Sequence, residues 1–264
     1  MMPLPLRAKD LAALPATISL TVDVEDLAGD GTRYAAMTRR LLDLFARHRS
    51  LGTFFVVGEV AQTNPALVRD IAASGHEIGS HSYRHSRLRD EDPATYAATM
   101  RDHRRLLEDL SGAPVRGFRA PFFSLTEATS WAADALAAAG FRYSASTIPG
   151  TDVPATPFSW PSGIVELPCP VGRVGPFRLP FLGGMYLRYL PRWRIAEAAR
   201  TCSARPVWSH VHPYDIDADE PFHRYPGHGL TASFFLWWNR KNALQHLDLL
   251  LQGRRSLPLG SLVP

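Results

Sequence analysis

The stretch Gly52–Ser80, GTFFVVGEVAQTNPALVRDIAASGHEIGS, holds one complete strand–helix–strand unit. Gly52–Gly58 is a short aromatic and β-branched run, the composition of a strand buried on both faces. Asn64 then supplies an N-cap, and Pro65 stands in the first helical turn, where its missing N–H costs nothing. The helix runs to Ser74, Gly75 ends it, and His76–Ser80 is the next strand. Two strands joined through a helix run parallel, and a parallel sheet is covered on its faces.

The same rhythm extends in both directions. Ala16–Val22 (ATISLTV) is a strand, and Thr32–Arg49 is an amphipathic helix with Met37, Leu41, Leu44 and Phe45 at helical spacing. Asp92-Pro93 caps a helix to Leu110, Val115–Arg119 is a strand, and Thr126–Ala139 is a helix closed by Gly140. Phe141–Ala145, Ile164–Leu167 and Pro206–Val211 complete the strands, with a helix from Trp193 to Cys202 before the last. Seven strands alternating with about as many helices predict an α/β fold of the (β/α) barrel type. Pro149–Pro161 and Pro168–Pro191 break the rhythm and read as long loops. In the tail, Phe222, Tyr225 and the run Phe234–Trp238 precede a helix to Leu251 and read as core rather than as a membrane foot.

Composition narrows the function classes. With 264 residues and 45% hydrophobic content, the chain fills a core, which excludes disorder and fibrous repeats. The 29 Lys+Arg against 25 Asp+Glu leave a net charge of +4, and the Arg pairs are scattered, so no nucleic-acid partner is expected. Cys169 and Cys202 form no metal or redox motif and read as small hydrophobes. The apolar stretch Leu11–Val24 is interrupted by Pro15, flanked by acids and without a basic start, so it is not expected to be a signal peptide. No window approaches about 18 uninterrupted apolar residues, so no membrane span is expected and a cytoplasmic location is.

In a parallel barrel the chemistry gathers where strands end. TVDVED, Thr21–Asp26, puts Asp23 and Glu25 on one face of a strand, and three carboxylates so close repel one another unless a positive group joins them. HSYRH places His81 and His85 four apart, which on a helical turn aims both imidazoles the same way. Two imidazoles and a carboxylate make a site for a divalent cation: Zn²⁺ foremost, with Co²⁺ or Fe²⁺ also suited. In FRAPFF, Arg119 ends a strand and is placed to hold a carboxylate. In WSHVHPYD, His210 and His212 share a face of the last strand, each a candidate acid–base group or a buried structural histidine.

Together these motifs resemble the polysaccharide deacetylases with the NodB homology domain, carbohydrate esterase family four. The resemblance covers roughly Thr17 to His212 and is nearest to a bacterial branch with D-V-E-D, associated with exopolysaccharide loci. It implies a distorted (β/α)7 barrel in a single domain, with a core at about 16–213 and an extension at 214–264. It implies Asp23 as catalytic base, Arg119 as its orienting partner and His212 as general acid. His81 and His85 are implied as metal ligands, with Glu25 or Asp26 as the third; Glu25 is favoured because residues i and i+2 of a strand face the same way. Pro121 and Phe122 are implied as substrate wall. The motif that in the family carries an aspartate and a tryptophan after strand five here reads Tyr143-Ser144-Ala145-Ser146. Asp215 or another acid is open as replacement for that aspartate, as is a His212 of lower pKa with no replacement, and Trp160, Tyr186 or Trp208 are open for the wall. The implied reaction is metal-assisted N-deacetylation of an amino-sugar polysaccharide or of a lipid-linked or nucleotide sugar precursor. Cyclic imide or ureide hydrolysis on the same barrel and non-catalytic glycan binding are the alternatives.

Overall fold

The structure, a computed structural model, describes residues 6–150 and 153–263. Thr151 and Asp152, inside the first expected loop, lie outside the described residues. The chain alternates β1 (Thr17–Val24), α1 (Arg33–Arg47), β2 (Thr53–Val56), α2 (Gly58–Thr63), α3 (Pro65–Ala73), β3 (Glu77–Ser80), α4 (Pro93–Ser111), β4 (Gly117–Phe118), α5 (Trp131–Ala139) and β5 (Tyr143–Ser144). The helix ends follow from local chemistry. Asn64 Oδ1 accepts from Leu67 N–H at 3.3 Å, Asp92 Oδ1 accepts from Ala94 N–H at 3.1 Å, and Gly140 leaves α5 at φ 92°. The expected helix from Thr126 instead opens with a 3₁₀ turn at Glu127–Thr129, before α5.

The second half adds β6 (Phe158–Ser159), β7 (Val165–Glu166), β8 (Gly172–Val174), β9 (Phe177–Leu179), α6 (Gly184–Tyr189), α7 (Arg192–Thr201), β10 (Trp208–Val211), α8 (Leu230–Trp237), α9 (Ala243–Leu251) and β11 (Arg255–Ser256). The main sheet runs β10-β1-β2-β3-β4-β5-β7-β6, all parallel except the β6–β7 pair. Seven parallel strands with covering helices make the distorted (β/α)7 barrel. Among the described residues β7 and β10 do not pair with each other; the bridge of Gly183 to His210 borders β10 on that side. The stretch Pro168–Pro191 is therefore not a bare loop: it holds the antiparallel β8–β9 hairpin and α6.

Two cores result. Leu20, Val22 and Val24 of β1 join Phe54, Leu41, Phe45, Leu67 and Leu136 in the layer between sheet and helices. A smaller interior cluster holds Phe55, Tyr143, Ala145, Leu167, Cys169, Trp208 and Leu259. The C-terminal segment closes the end of the barrel where strands begin. β11 pairs with the start of β1, Leu259 N–H donates to Thr53 Oγ1 at 2.7 Å, and Gly260 N–H donates to Glu77 Oε2 at 2.9 Å. The opposite end is left for chemistry.

The tail aromatics depart from expectation. Phe222, Phe234, Phe235 and Trp238 are exposed rather than core. A continuous apolar run has no period from which to read a buried face.

Candidate metal centre

Period-two alternation along β1 sends Leu20 and Val22 to the helix side, while Thr21 and Asp23 turn into the barrel. There Asp23 meets Arg119, whose Nη1 donates to Asp23 Oδ1 at 2.6 Å and to Thr21 Oγ1 at 2.7 Å. Arg119 Nε donates to the Ala145 carbonyl at 3.1 Å. Its guanidinium lies 4.2 Å from the Phe55 ring centroid and 4.5 Å from that of Trp208. Burial, the largest single influence, pushes the Asp23 pKa up, but Arg119 together with the imidazoles of His81, His212 and His210 outweighs it and holds the group at about 2. Asp23 is thus a fixed carboxylate in a dry setting.

The altered strand-five motif braces this arrangement. Ala145 supplies the carbonyl for Arg119, Ser146 Oγ accepts from Ala120 N–H at 2.8 Å, and Ser144 Oγ donates to Ser146 Oγ at 2.7 Å. Ser146 N–H donates in turn to the buried Glu166 at 2.7 Å.

The two imidazoles converge, though not on a helical turn. After β3 the chain runs through residues at positive φ, Ser82 at 64° and His85 at 57°, and this non-helical loop brings the His81 and His85 rings to 4.9 Å. His81 Nδ1 faces the Arg119 carbonyl at 2.9 Å, which fixes Nδ1–H as donor and frees Nε2. Burial lowers the His81 pKa to about 4, so its ring is neutral and ready to ligate. Glu25 Oε2 lies 2.5 Å from His85 Nε2. Glu25, His81 and His85 each offer one ligand atom, all within 4.8 Å of one another. Two imidazoles and one carboxylate are the donor set of a divalent cation site with open positions, so these residues fit such an ion. Of the two acids left open by sequence, Glu25 joins the imidazoles. Asp26 instead accepts from Gly29 N–H and Gly31 N–H, both at 2.9 Å, and shapes the turn before α1.

His212 closes the other side. Its Nε2 is 3.9 Å from Asp23 Oδ2 and 3.9 Å from Glu25 Oε1. Its ring stacks on Tyr214 at 4.6 Å, and Nδ1 lies 3.1 Å from Asp215 Oδ2. Burial alone would lower its pKa; the Asp215 hydrogen bond and the surrounding carboxylates outweigh burial and raise it to about 9. His210 differs: it is buried against Phe123 and Trp208, with its pKa lowered by burial to about 3, which makes it the structural histidine of the pair.

The wall residues divide. Phe122, at φ 58°, is half-exposed with its ring 4.9 Å from His85, and the buried Pro121 starts its 3₁₀ turn. Trp208 is 1% exposed, so it cannot face substrate; its ring belongs to the cradle of Arg119. Trp160 points its indole N–H at Glu166 Oε2, 3.3 Å away. Neither Trp160 nor Tyr186 is among the residues lining the cavity of about 490 Å³ beside the metal-ligand group. That cavity is walled by Glu25, Tyr34, Val57, His85, Phe122 and Leu236, among others.

Sequence reasoning missed three supports. Arg188 Nε, fully buried, lies 3.4 Å from Asp215 Oδ1. Tyr214 stacks under His212. Gly184 permits close approach, since a Cβ there would stand 1.8 Å from Asp215 Oδ2. The Gly183-Gly184 doublet was the available signal.

Comparison with known proteins places this geometry. Over 90 residues the chain is 32% identical to the peptidoglycan-N-acetylglucosamine deacetylase of Bacillus cereus, covering 34% of this chain and 33% of that protein. Over 94 residues it is 30% identical to the chitooligosaccharide deacetylase of Azorhizobium caulinodans, covering 35% of this chain and 45% of that one. The match therefore spans less than half the length of either relative. A solved Mycobacterium smegmatis structure assigned to the polysaccharide deacetylases superposes with a TM-score of 0.55 at 21% identity, covering 97% of both chains, which shows a shared fold. The domain of unknown function DUF3473 matches residues 141–262. The polysaccharide deacetylase family model matches residues 13–144, half of the sequence and the part that includes Asp23, Glu25, His81, His85 and Arg119, and the chain belongs to that family.

Proposed function

We propose that the protein is a metal-dependent N-deacetylase acting on a glycan that contains N-acetylglucosamine. The observation that carries this reading is the position of His212 Nε2, 3.9 Å from the carboxylates of both Asp23 and Glu25, with Glu25 inside the metal-ligand group. A base, an acid and a cation-binding set thereby surround one small volume.

Glu25, His81 and His85 would hold the cation, with zinc best suited to that donor set. When bound, it supplies Lewis-acid chemistry, making water more acidic and the acyl oxygen more electrophilic. Asp23, kept ionised and oriented by Arg119, accepts a proton from the attacking water as its oxygen bonds to the acetyl carbon. The N–H of Phe122, second in its 3₁₀ turn and without an acceptor within the turn, would donate to the acyl oxygen. His212, protonated and held by Asp215, gives its proton to the nitrogen as the C–N bond breaks. Acetate and a free amine result.

The substrate class rests on the relatives, which are named for peptidoglycan and chitooligosaccharide deacetylation. The test is acetate release from N-acetylglucosamine oligomers, lipid-linked sugars and nucleotide sugars, with Zn²⁺, Co²⁺ and Fe²⁺ supplied in turn. Release that requires added cation is expected. Release unaffected by complete chelation, or bound cation without release on any of these glycans, contradicts the proposal.

A further inference from the structure

α8 (Leu230–Trp237), LTASFFLW, is apolar almost throughout, yet only Ser233 of its residues is buried. Leu230 is 66% and Phe235 53% exposed, and Phe234, Trp238 and Phe222 are exposed beside them. The rings touch: Phe234 stacks on Trp238 at 5.1 Å, and Phe222 meets Trp237 at 5.4 Å. An exposed, contiguous aromatic face of this kind marks an interaction surface.

The helix is fastened from beneath by polar contacts. Ser233 Oγ accepts from Tyr225 N–H at 3.0 Å, Trp237 Nε1–H donates to the Glu220 carbonyl at 2.6 Å, and Tyr189 O–H donates to the Phe235 carbonyl at 2.6 Å. Arg188 Nη1 donates to the Leu236 carbonyl at 3.0 Å. The fold thus anchors the backbone while leaving the rings outward.

Charge identifies the occupant. From Pro221 to Leu247 the sequence has no Asp or Glu, and Arg224 and Lys241, which flank the helix in sequence, are exposed. Even with the exposed Asp219 just before this stretch, the balance stays basic. A two-fold contact with a second copy would set this basic face against itself. An anionic bilayer complements it: Trp and Phe seat at the headgroup boundary and Arg and Lys meet the lipid phosphates. Leu236 of the same helix, with Pro226 and His228 before it, also lines the cavity beside the metal-ligand group. We propose that α8 and Phe222 form a docking surface for an anionic lipid membrane, carrying the rim of that cavity on the same face.

The test is sedimentation of the full chain with vesicles of phosphatidylcholine alone and of phosphatidylcholine mixed with phosphatidylglycerol. Binding about 10-fold or more stronger to the mixed vesicles is expected, weakening as salt rises. The double variant Phe235→Ser/Trp238→Ser is expected to lose binding about 10-fold with melting temperature and bound metal retained. Arg224→Glu/Lys241→Glu, which leaves the rings in place, is expected to lose the preference for the mixed vesicles. Equal binding to both vesicle types, or none, overturns the proposal. So does concentration-dependent dimerisation that the aromatic variant abolishes without any vesicle binding, which would assign the face to a second copy. None of these readouts depends on turnover.

Discussion

Asp215 holds His212 twice, accepting from its backbone N–H at 2.9 Å and lying 3.1 Å from its Nδ1 with the same Oδ2. The other oxygen, Oδ1, lies 3.4 Å from Arg188 Nε, so the carboxylate is pinned between two cationic side chains in a buried pocket. Burial favours protonating Asp215, but Arg188 and His212 outweigh it and hold its pKa well below the usual carboxylate range. A charged, fixed partner on Nδ1 orients Nε2 toward Asp23 and Glu25.

The pH dependence of turnover follows. His212 has its pKa raised from 6.5 to about 9, so the proton needed by the leaving amine is present below about 9 and lost above it. A cation at Glu25 offsets that carboxylate's share of the shift, so the alkaline limb of the metal-bound protein lies below about 9, with the Asp215 hydrogen bond the largest raising influence on it. In Asp215→Asn the limb of kcat/KM is expected to move down toward 6.5. The linked stability has the same sign: it is complete below 6.5 and disappears as pH rises through about 9. A limb that stays in place in Asp215→Asn would remove Asp215 from this role.

Gly184→Ala tests the same support by size alone. The added Cβ would meet Asp215 Oδ2 at 1.8 Å, so the carboxylate must move from under His212. Turnover is expected to fall about 10²-fold, with bound metal unchanged, since Glu25, His81 and His85 lie on other segments. Steady-state kinetics beside metal analysis decide; parental kcat with normal folding would show that the contact is not needed.

Metal content separates the two acids that follow Asp23. Glu25→Gln is expected to weaken cation affinity by about 10²-fold or more, because a carboxylate ligand becomes a neutral amide. Asp26→Asn is expected to keep the cation and to cost about 0.5–1.5 kcal/mol of stability as its backbone hydrogen bonds weaken. Equal metal loss in both variants would mean that the turn and the ligand set are not independent.

Trp208→Phe is expected to destabilise the protein by about 1–3 kcal/mol, because a filled, buried ring beside Arg119 is trimmed. KM should stay unchanged, since the side chain is out of reach of substrate. Thermal melts and saturation kinetics measure the two effects; a raised KM with unchanged stability would restore Trp208 to the binding wall.

The strands and most helix ends were legible because their signals are local: apolar runs at Gly52–Gly58 and Pro206–Val211, caps at Asn64 and Asp92, a stop at Gly140. The β8–β9 hairpin was hidden in a Gly- and Pro-rich stretch without alternation, and the exposed face of α8 in a run without period. At the candidate site, the placement of Asp23 and Glu25 could be reasoned from strand alternation. The convergence of His81 and His85 depends on positive φ at Ser82 and His85, which their spacing does not encode. Arg188 has no local signature: it meets Asp215 only through tertiary packing of α6 beside the turn at Pro213–Ile216.

The most direct test of the proposed centre measures bound metal and acetate release on the same samples of the parent chain, Asp23→Asn and His81→Ala. The parent should hold one cation per chain and release acetate from N-acetylglucosamine oligomers. Asp23→Asn should keep the cation and lose at least about 10²-fold in release, and His81→Ala should lose both cation and release. Parental release by Asp23→Asn, or full metal retention by His81→Ala, would contradict the account.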